Sequence, residues 1–172
     1  MRETNTHIYF WGTFLSNWIP NDLSIKFDGR VFTNSEQLFM YIKAMTFHDV
    51  ETADRIVKEG TYPKSAKDLG RQVQNFDDKQ WAILRENAMY TAVMAKFASS
   101  RELQEKLLDT YPKILVEGTP MDPVWGVMVH WKDDRILDER NWKGQNLLGE
   151  ILMRVRQDLK SAIINKAYKN FP

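Results

Sequence analysis

The sequence predicts a predominantly α-helical α+β single domain with a small β-sheet, spanning residues 1–172. Three observations carry that expectation. Apolar residues recur at helical spacing from Phe32 to Ala98 and again from Leu147 to Leu159. Strand-like runs separated by turn residues are confined to the front end and to the stretch from Ile114 to Trp131. A chain of 172 residues, 43% of them hydrophobic, suits one core at the usual allowance of about 150 residues per domain.

The elements follow in chain order. IYFWG is a short aromatic strand candidate, and SIKF, Asp28-Gly29 and RVFT alternate around a type I′ hairpin signal. WGTFLSNWIPND between them is a loop. The chain then turns helical through FTNSEQLFMYIKAMTF (Phe32–Phe47), DVETADRIVKEG ending at Gly60, and SAKDLGRQV entered from Pro63 and Ser65. DDKQWAILRENAMYTAVMAKFA is a long helix with acidic residues at its start, and RELQEKLLDTY another, closed by Pro112. ILVEG and VWGVMVHW read as strands flanking the turn TPMDP. KDDRILDERNWKG is a polar loop. NLLGEILMRVRQDLKSAII is a terminal amphipathic helix.

Composition removes several function classes. With no cysteine, disulfides, thiolate metal sites and cysteine nucleophiles are excluded. His7, His48 and His130 lie far apart without metal-ligand spacing, so no metal is expected. Twenty-four basic and 23 acidic residues, interspersed, leave a net charge of +1 and no broad electrostatic surface for nucleic acid or membrane. MRETNTHIYFWG has no apolar signal core, and no apolar run nears the ~20 residues that span a bilayer. The expectation is a soluble, cytoplasmic protein with no cofactor, no membrane association and no obligate protein partner.

The segment from Phe32 to Phe47 poses the sharpest question. Leu38, Ile42 and Met45 form one apolar stripe, while Met40 and Phe47 lie near the opposite side with Glu36 and Lys43. Seven residues apart, those two charges point the same way with roughly 10 Å of helix rise between them, too far for an i,i+4 ion pair. They suit two contacts to one small molecule in a polar pocket cut into the core. Thr33-Asn-Ser-Glu36 also matches a capping box, in which Glu at N3 satisfies the N-cap amide. Lys43 also fits a stem on apolar surface with its ammonium in water. Both pairs of readings stay open on the residues alone.

The same residues resemble the Ser-Glu-x-x-[Phe/Tyr]-x-x-x-Lys helix of the NADAR superfamily, also called the YbiA-like family. Further blocks agree in order: Phe14-Leu15-Ser16-Asn17-Trp18, Ala66-Lys67-Asp68-Leu69-Gly70-Arg71, Asp122-Pro123-Val124-Trp125-Gly126-Val127, and Trp142 through Gly149 with the helix to Arg156. Trp18 stands where the family often has Phe, and Gln37 and Leu38 where many members have His and Tyr. The tract from His130 to Trp142 is longer than in the shortest bacterial members.

The resemblance implies the YbiA-like fold and cleavage of N-glycosidic bonds of ribosyl compounds. The substrates it implies are early ribosylamine phosphates of riboflavin biosynthesis, or ADP-ribose conjugates such as ADP-ribosylated guanine, with a wider link to NAD metabolism. The partner is then a small nucleotide-like molecule, or an ADP-ribosylated base within nucleic acid. Breaking a ribose C1–nitrogen bond builds positive charge on the sugar, which a carboxylate stabilises, while a carboxyl group activates water or protonates the leaving base.

The resemblance assigns Glu36 and Asp122 to these catalytic tasks. It assigns Lys43 either to holding ribose hydroxyls or to attacking the opened sugar aldehyde as a Schiff-base amine. Its matching segments supply Ser16, Asn17, Gly70, Arg71, Trp125, Gly126 and Asn146 as substrate-binding residues. Four of these residues keep a plainer reading. Asp122 forms turns before Pro123, Trp125 fits a core, Asn146 caps the last helix, and Arg71 is an ordinary solvated arginine. Asp133, Asp134 and Asp138 in the longer tract slightly favour an ADP-ribose-bearing substrate. Two other functions compete: a noncatalytic ADP-ribose or NAD-binding module, which would not need Glu36, Lys43 and Asp122 together, and an interaction protein in which all three are structural.

Overall fold

The computed structural model describes residues 1–19 and 23–169, the last four by backbone alone. Pro20, Asn21 and Asp22 of the expected loop lie outside the described residues. The class is the expected one, α+β, with six α-helices and short strands among the described residues. Contacts divide the chain into two compact units, Ser16–Leu103 and Met1–Leu15 with Gln104–Pro172.

The unit Ser16–Leu103 opens with the hairpin of β3 (Ile25–Phe27) and β4 (Arg30–Phe32), in which Ile25 faces Phe32. Its two-residue turn sets φ +49° at Asp28 and +69° at Gly29. That is the backbone a type I′ turn demands, and the reason Asp-Gly marks it. Then come α1 (Ser35–Thr46), α2 (Val50–Glu59), α3 (Pro63–Gly70) and α4 (Asp78–Ala98).

Three helices, α2, α3 and α4, pack on α1, which explains why it is apolar nearly all the way round. Every residue from Ser35 to Tyr41 is buried. The expected stripe fades along the helix, since Leu38 is fully buried while Met45 is exposed. Asp49 and Asp77 cap α2 and α4 by accepting from the amides of Thr52 at 3.0 Å and Gln80 at 2.7 Å. Pro63 opens α3, where its missing N–H costs nothing.

α5 (Arg101–Leu108) leads into the rest of the second unit. There β2 (His7–Phe10) is the middle strand, antiparallel to β1 (Arg2–Glu3) and parallel to β5 (Ile114–Glu117), with Tyr9 beside Val116. α6 (Leu147–Lys169) packs on β5. Tyr9, Val116, Val127, Val129 and Ile136 form a core cluster, with Trp131 and Trp142 against it.

The strand expected over VWGVMVHW does not form. Met128 takes a left-handed φ of +62°. The backbone instead makes scattered bonds, Val127 N–H to Glu117 C=O at 3.1 Å and Trp131 N–H to Gly118 C=O at 3.0 Å. Val127 and Val129 are there to fill the core, and a run of buried β-branched residues mimics a strand. The polar tract that follows carries two short 3₁₀ turns, Asp134–Leu137 and Glu139–Asn141.

Candidate active site

At the N-terminus of α1 the capping box is shifted by one residue from its expected register. Asn34 is the N-cap, and its side-chain oxygen accepts from the Gln37 amide at 2.9 Å. The reciprocal arm is the Gln37 side chain, which accepts from the Thr33 amide at 2.9 Å. Gln37 then donates to Ile56 C=O at 2.9 Å and ties α1 to α2. Glu36 therefore stands at N2, between Asn34 and Gln37, whose side chains make these two bonds. It is only 5% exposed. The turn's N–H groups and the helix dipole make this an electrostatically sound place for an acid.

Two turns along the same face, Lys43 is half-buried. Its ammonium donates to the carbonyl of Gly70 at the end of α3, at 2.8 Å, and lies 4.1 Å from the ring centroid of Phe76. Burial pulls its pKa below the ordinary lysine value; the charge of Asp78 works against that shift and Arg71 adds to it. Lys43 is thus neither a plain snorkelling lysine nor an unrestrained amine. A Cβ at Gly70 would meet the Met40 sulfur, so a larger residue there requires the Met40 side chain to move. Arg71 beside it is 69% exposed and contacts Asp68 at 3.3 Å.

The Ser16–Asn17 segment belongs to the same unit and is buried. The Asn17 side-chain oxygen accepts from the Ser35 hydroxyl at 2.8 Å, and its amide nitrogen meets the Met89 sulfur at 2.7 Å. The Ser16 hydroxyl accepts from the Trp18 amide at 3.3 Å, and its carbonyl from the Lys96 ammonium at 2.8 Å. Of the sequence-predicted residues, this unit therefore carries Ser16, Asn17, Glu36, Lys43, Gly70 and Arg71.

The other unit carries Asp122, Trp125, Gly126 and Asn146. Asp122 Oδ1 accepts from the amides of Val124 at 3.0 Å and Trp125 at 2.9 Å, so the turn expected at Met121-Asp122-Pro123 is built on this carboxylate. The Gly126 amide donates to Asp122 C=O at 3.1 Å, and a Cβ on Gly126 would lie 2.9 Å from Glu117 C=O. The Asn146 side chain, 6% exposed, accepts from the Glu117 amide at 2.9 Å and donates to Leu115 C=O at 3.0 Å. Its backbone carbonyl accepts the Glu150 amide at the start of α6, while its side chain locks that helix start to β5.

Sequence reasoning passed over buried charges, Lys96 and Glu117 among them. Lys96 follows Trp81, Ala88 and Ala92 on the buried face of α4, so the helical period already placed a lysine among core positions. Glu117 ends the otherwise apolar ILVE strand and is buried. The acidic residues of the His130–Trp142 tract, by contrast, are matched locally: Asp133 with Arg135, Asp138 with Arg140, and Asp134 with Arg2. Hydrogen bonds from Arg135 hold the Asp133 carboxyl down at about 2. Among the described residues no cluster of His, Asp and Glu is placed to hold a metal, and no helix is long and apolar enough to cross a membrane.

Comparison with known proteins places these features in a family. The NADAR domain model matches residues 9–160, running through both compact units. "Protein irg-1" of Caenorhabditis elegans is 41% identical over 74% of this chain, which spans 61% of that protein's length. "N-glycosidase R617" of Acanthamoeba polyphaga mimivirus is 29% identical over 91% of this chain and 98% of its own. "N-glycosidase YbiA" of Escherichia coli is 34% identical over 78% of this chain and 75% of its own. The NMR structure of E. coli YbiA has a TM-score of 0.73 at 30% identity, covering 95% of this chain and 90% of that one. The chain belongs to the NADAR domain family.

Proposed function

We propose that this protein is an N-glycosidase that hydrolyses the bond between ribose C1 and nitrogen in a ribosylated, nucleotide-like substrate. The observation that carries it is the placement of Glu36, buried in the first turn of α1, two turns from the half-buried Lys43 on the same helix, in a chain of the NADAR domain family. A relative that the chain matches over 98% of its length bears the name N-glycosidase, which supports the reaction class.

In this account Glu36 faces the positive charge that develops on the sugar as the C1–nitrogen bond breaks. A desolvated carboxylate exerts a stronger field there than a hydrated one. Asp122 is the second carboxyl group; Oδ1 takes the turn amides, and Oδ2 is the oxygen assigned to the reaction. Ser16, Asn17, Gly70, Arg71, Trp125, Gly126 and Asn146 hold the substrate or the loops that meet it, with the Arg71 fork suited to a phosphate.

Lys43 has two roles consistent with its setting. As an ammonium it holds Gly70 and lends positive charge. As an amine it attacks ribose C1 as the C1–nitrogen bond breaks and the base leaves with a proton from a carboxyl group; opening of the sugar ring gives a C=N bond to Lys43, which water hydrolyses to free the sugar and the amine. Burial moves it toward the amine.

The substrate is an ADP-ribose conjugate such as an ADP-ribosylated guanine, free or in nucleic acid, or a ribosylamine phosphate of riboflavin biosynthesis. The reading calls for no cofactor, metal or second protein, and for a cytoplasmic location. The test is to incubate the purified chain with ADP-ribosylated guanosine, a ribosylamine phosphate and NAD, following free base and free sugar by chromatography. Release of both from one of the first two is expected. Binding of ADP-ribose with no turnover of any would replace the enzyme by a recognition module.

A further inference from the structure

Lys96 is a charge that the proposed reaction does not use. It is 1% exposed near the end of α4, where an ammonium is costly to bury and is kept only when its hydrogen bonds are worth that cost. Its ammonium donates to the carbonyl of Ser16 at 2.8 Å and lies 5.2 Å from the Phe97 ring centroid. That carbonyl opens the peptide unit leading into Asn17. The Asn17 amide is in turn keyed to the hydroxyl of Ser35, the residue before Glu36, at 2.8 Å and rests on Met89 of α4. The chain from α4 to the N-terminus of α1 is therefore continuous: Lys96, the Ser16 carbonyl, the Asn17 amide, the Ser35 hydroxyl, and then Glu36.

We propose that Lys96 is a positioning residue, which fixes the Ser16–Asn17 peptide and through it sets the Asn17 amide against the first turn of α1, where Glu36 stands. The proposal builds on the N-glycosidase reading for its kinetic consequence, though the coupling itself is a property of the fold. A neutral side chain of similar length removes the donor. An arginine keeps donor and charge on a different frame and restores part of the function.

The experiment compares Lys96→Met, Lys96→Arg, Asn17→Ala and the double variant Lys96→Met/Asn17→Ala, with exposed Lys79→Met as control. For each, the side-chain amide resonances of Asn17, where present, the melting temperature, and kcat and KM on the substrate turned over are measured. We expect Lys96→Met to shift the Asn17 amide and lower kcat about 10- to 100-fold with KM changed little, as misplacement of reacting groups does. Lys96→Arg should recover at least a third of the wild-type rate. The double variant should be no slower than its slower parent, because both act through one path.

An Asn17 amide unmoved in folded Lys96→Met, or losses that multiply in the double variant, overturns the proposal. If wild type turns over nothing, the N-glycosidase reading fails by itself. The Asn17 resonance still decides the coupling, and a variant too unstable for kcat is judged by Lys96→Arg on the same resonance.

Discussion

The two proposed catalytic carboxylates, Glu36 and Asp122, lie in regions that satisfy their backbones in opposite ways. At the start of α1 the Asn34 oxygen accepts the Gln37 amide and the Gln37 side chain accepts the Thr33 amide. In the turn at 122–126 the acid is itself the acceptor that closes the backbone, taking two amides on one oxygen. In the first region the charge of Glu36 can be neutralised with those two bonds left in place. An acid in the second cannot be removed without also losing a turn, unless an amide replaces it.

That contrast gives the largest expected effect to Glu36. Glu36→Gln should lower kcat by about 10²- to 10⁴-fold, the usual worth of an acid–base or charge-stabilising group, while shifting the melting temperature little. A melting temperature that collapses with activity retained per folded molecule would return Glu36 to a structural role.

Asp122 splits the comparison. Asp122→Asn keeps the oxygen that the turn needs and removes the charge, so rate should fall by about 10²-fold or more at near wild-type stability. Asp122→Ala should lose the rate and in addition about 1–3 kcal/mol for the two amides left behind. If Asp122→Asn is fully active, Asp122 is a turn residue only, and calorimetry beside kinetics tells the cases apart.

Lys43 is read through pH. Its ammonium is disfavoured by burial, so the penalty on the fold is fully present below the lowered native pKa and vanishes above the unfolded value of 10.5. Wild-type stability should therefore rise with pH across the window between those two values, and Lys43→Met should flatten that rise in urea titrations. If the amine forms a Schiff base, the rate climbs through the same lowered pKa. Borohydride added during turnover then leaves an adduct on Lys43, and Lys43→Arg is inactive. An unlabelled Lys43 with an active arginine variant identifies the charged, Gly70-holding role.

The smallest effect on chemistry belongs to the cap itself. Asn34→Ala should cost about 1 kcal/mol of stability and change kcat far less than Glu36→Gln does. Gln37→Ala should cost more than Asn34→Ala, since Gln37 also spans to α2. A cap variant that lost as much rate as Glu36→Gln would erase the distinction between the box and the acid it encloses.

The sequence discloses what is fixed locally and conceals what is fixed by packing. The Asp28-Gly29 hairpin was legible because only residues tolerant of positive φ close so short a turn. The helices were legible from their period. The supposed strand at Val124–Trp131 was not, since Val127 and Val129 are buried by a core that draws its other members from Tyr9, Val116 and Ile136.

On α1 the placement of Glu36 and Lys43 two turns apart was legible by angle. The register of the cap, with Asn34 as N-cap and Gln37 as the reciprocal arm, was not. Asn146 carried no local sign that its amide would bridge Glu117 and Leu115. Lys96 did carry a sign, since it lies in phase with Trp81 and Ala92 on the buried face of α4.

The most direct test is single-turnover release of free base by wild type and Glu36→Gln, on ADP-ribosylated guanosine and on a ribosylamine phosphate, with folding of both proteins verified by thermal melting. The account predicts release of base and sugar from one substrate by wild type, and release slowed by at least about 10²-fold in a Glu36→Gln protein that melts as wild type does. Equal rates in the two proteins would contradict it.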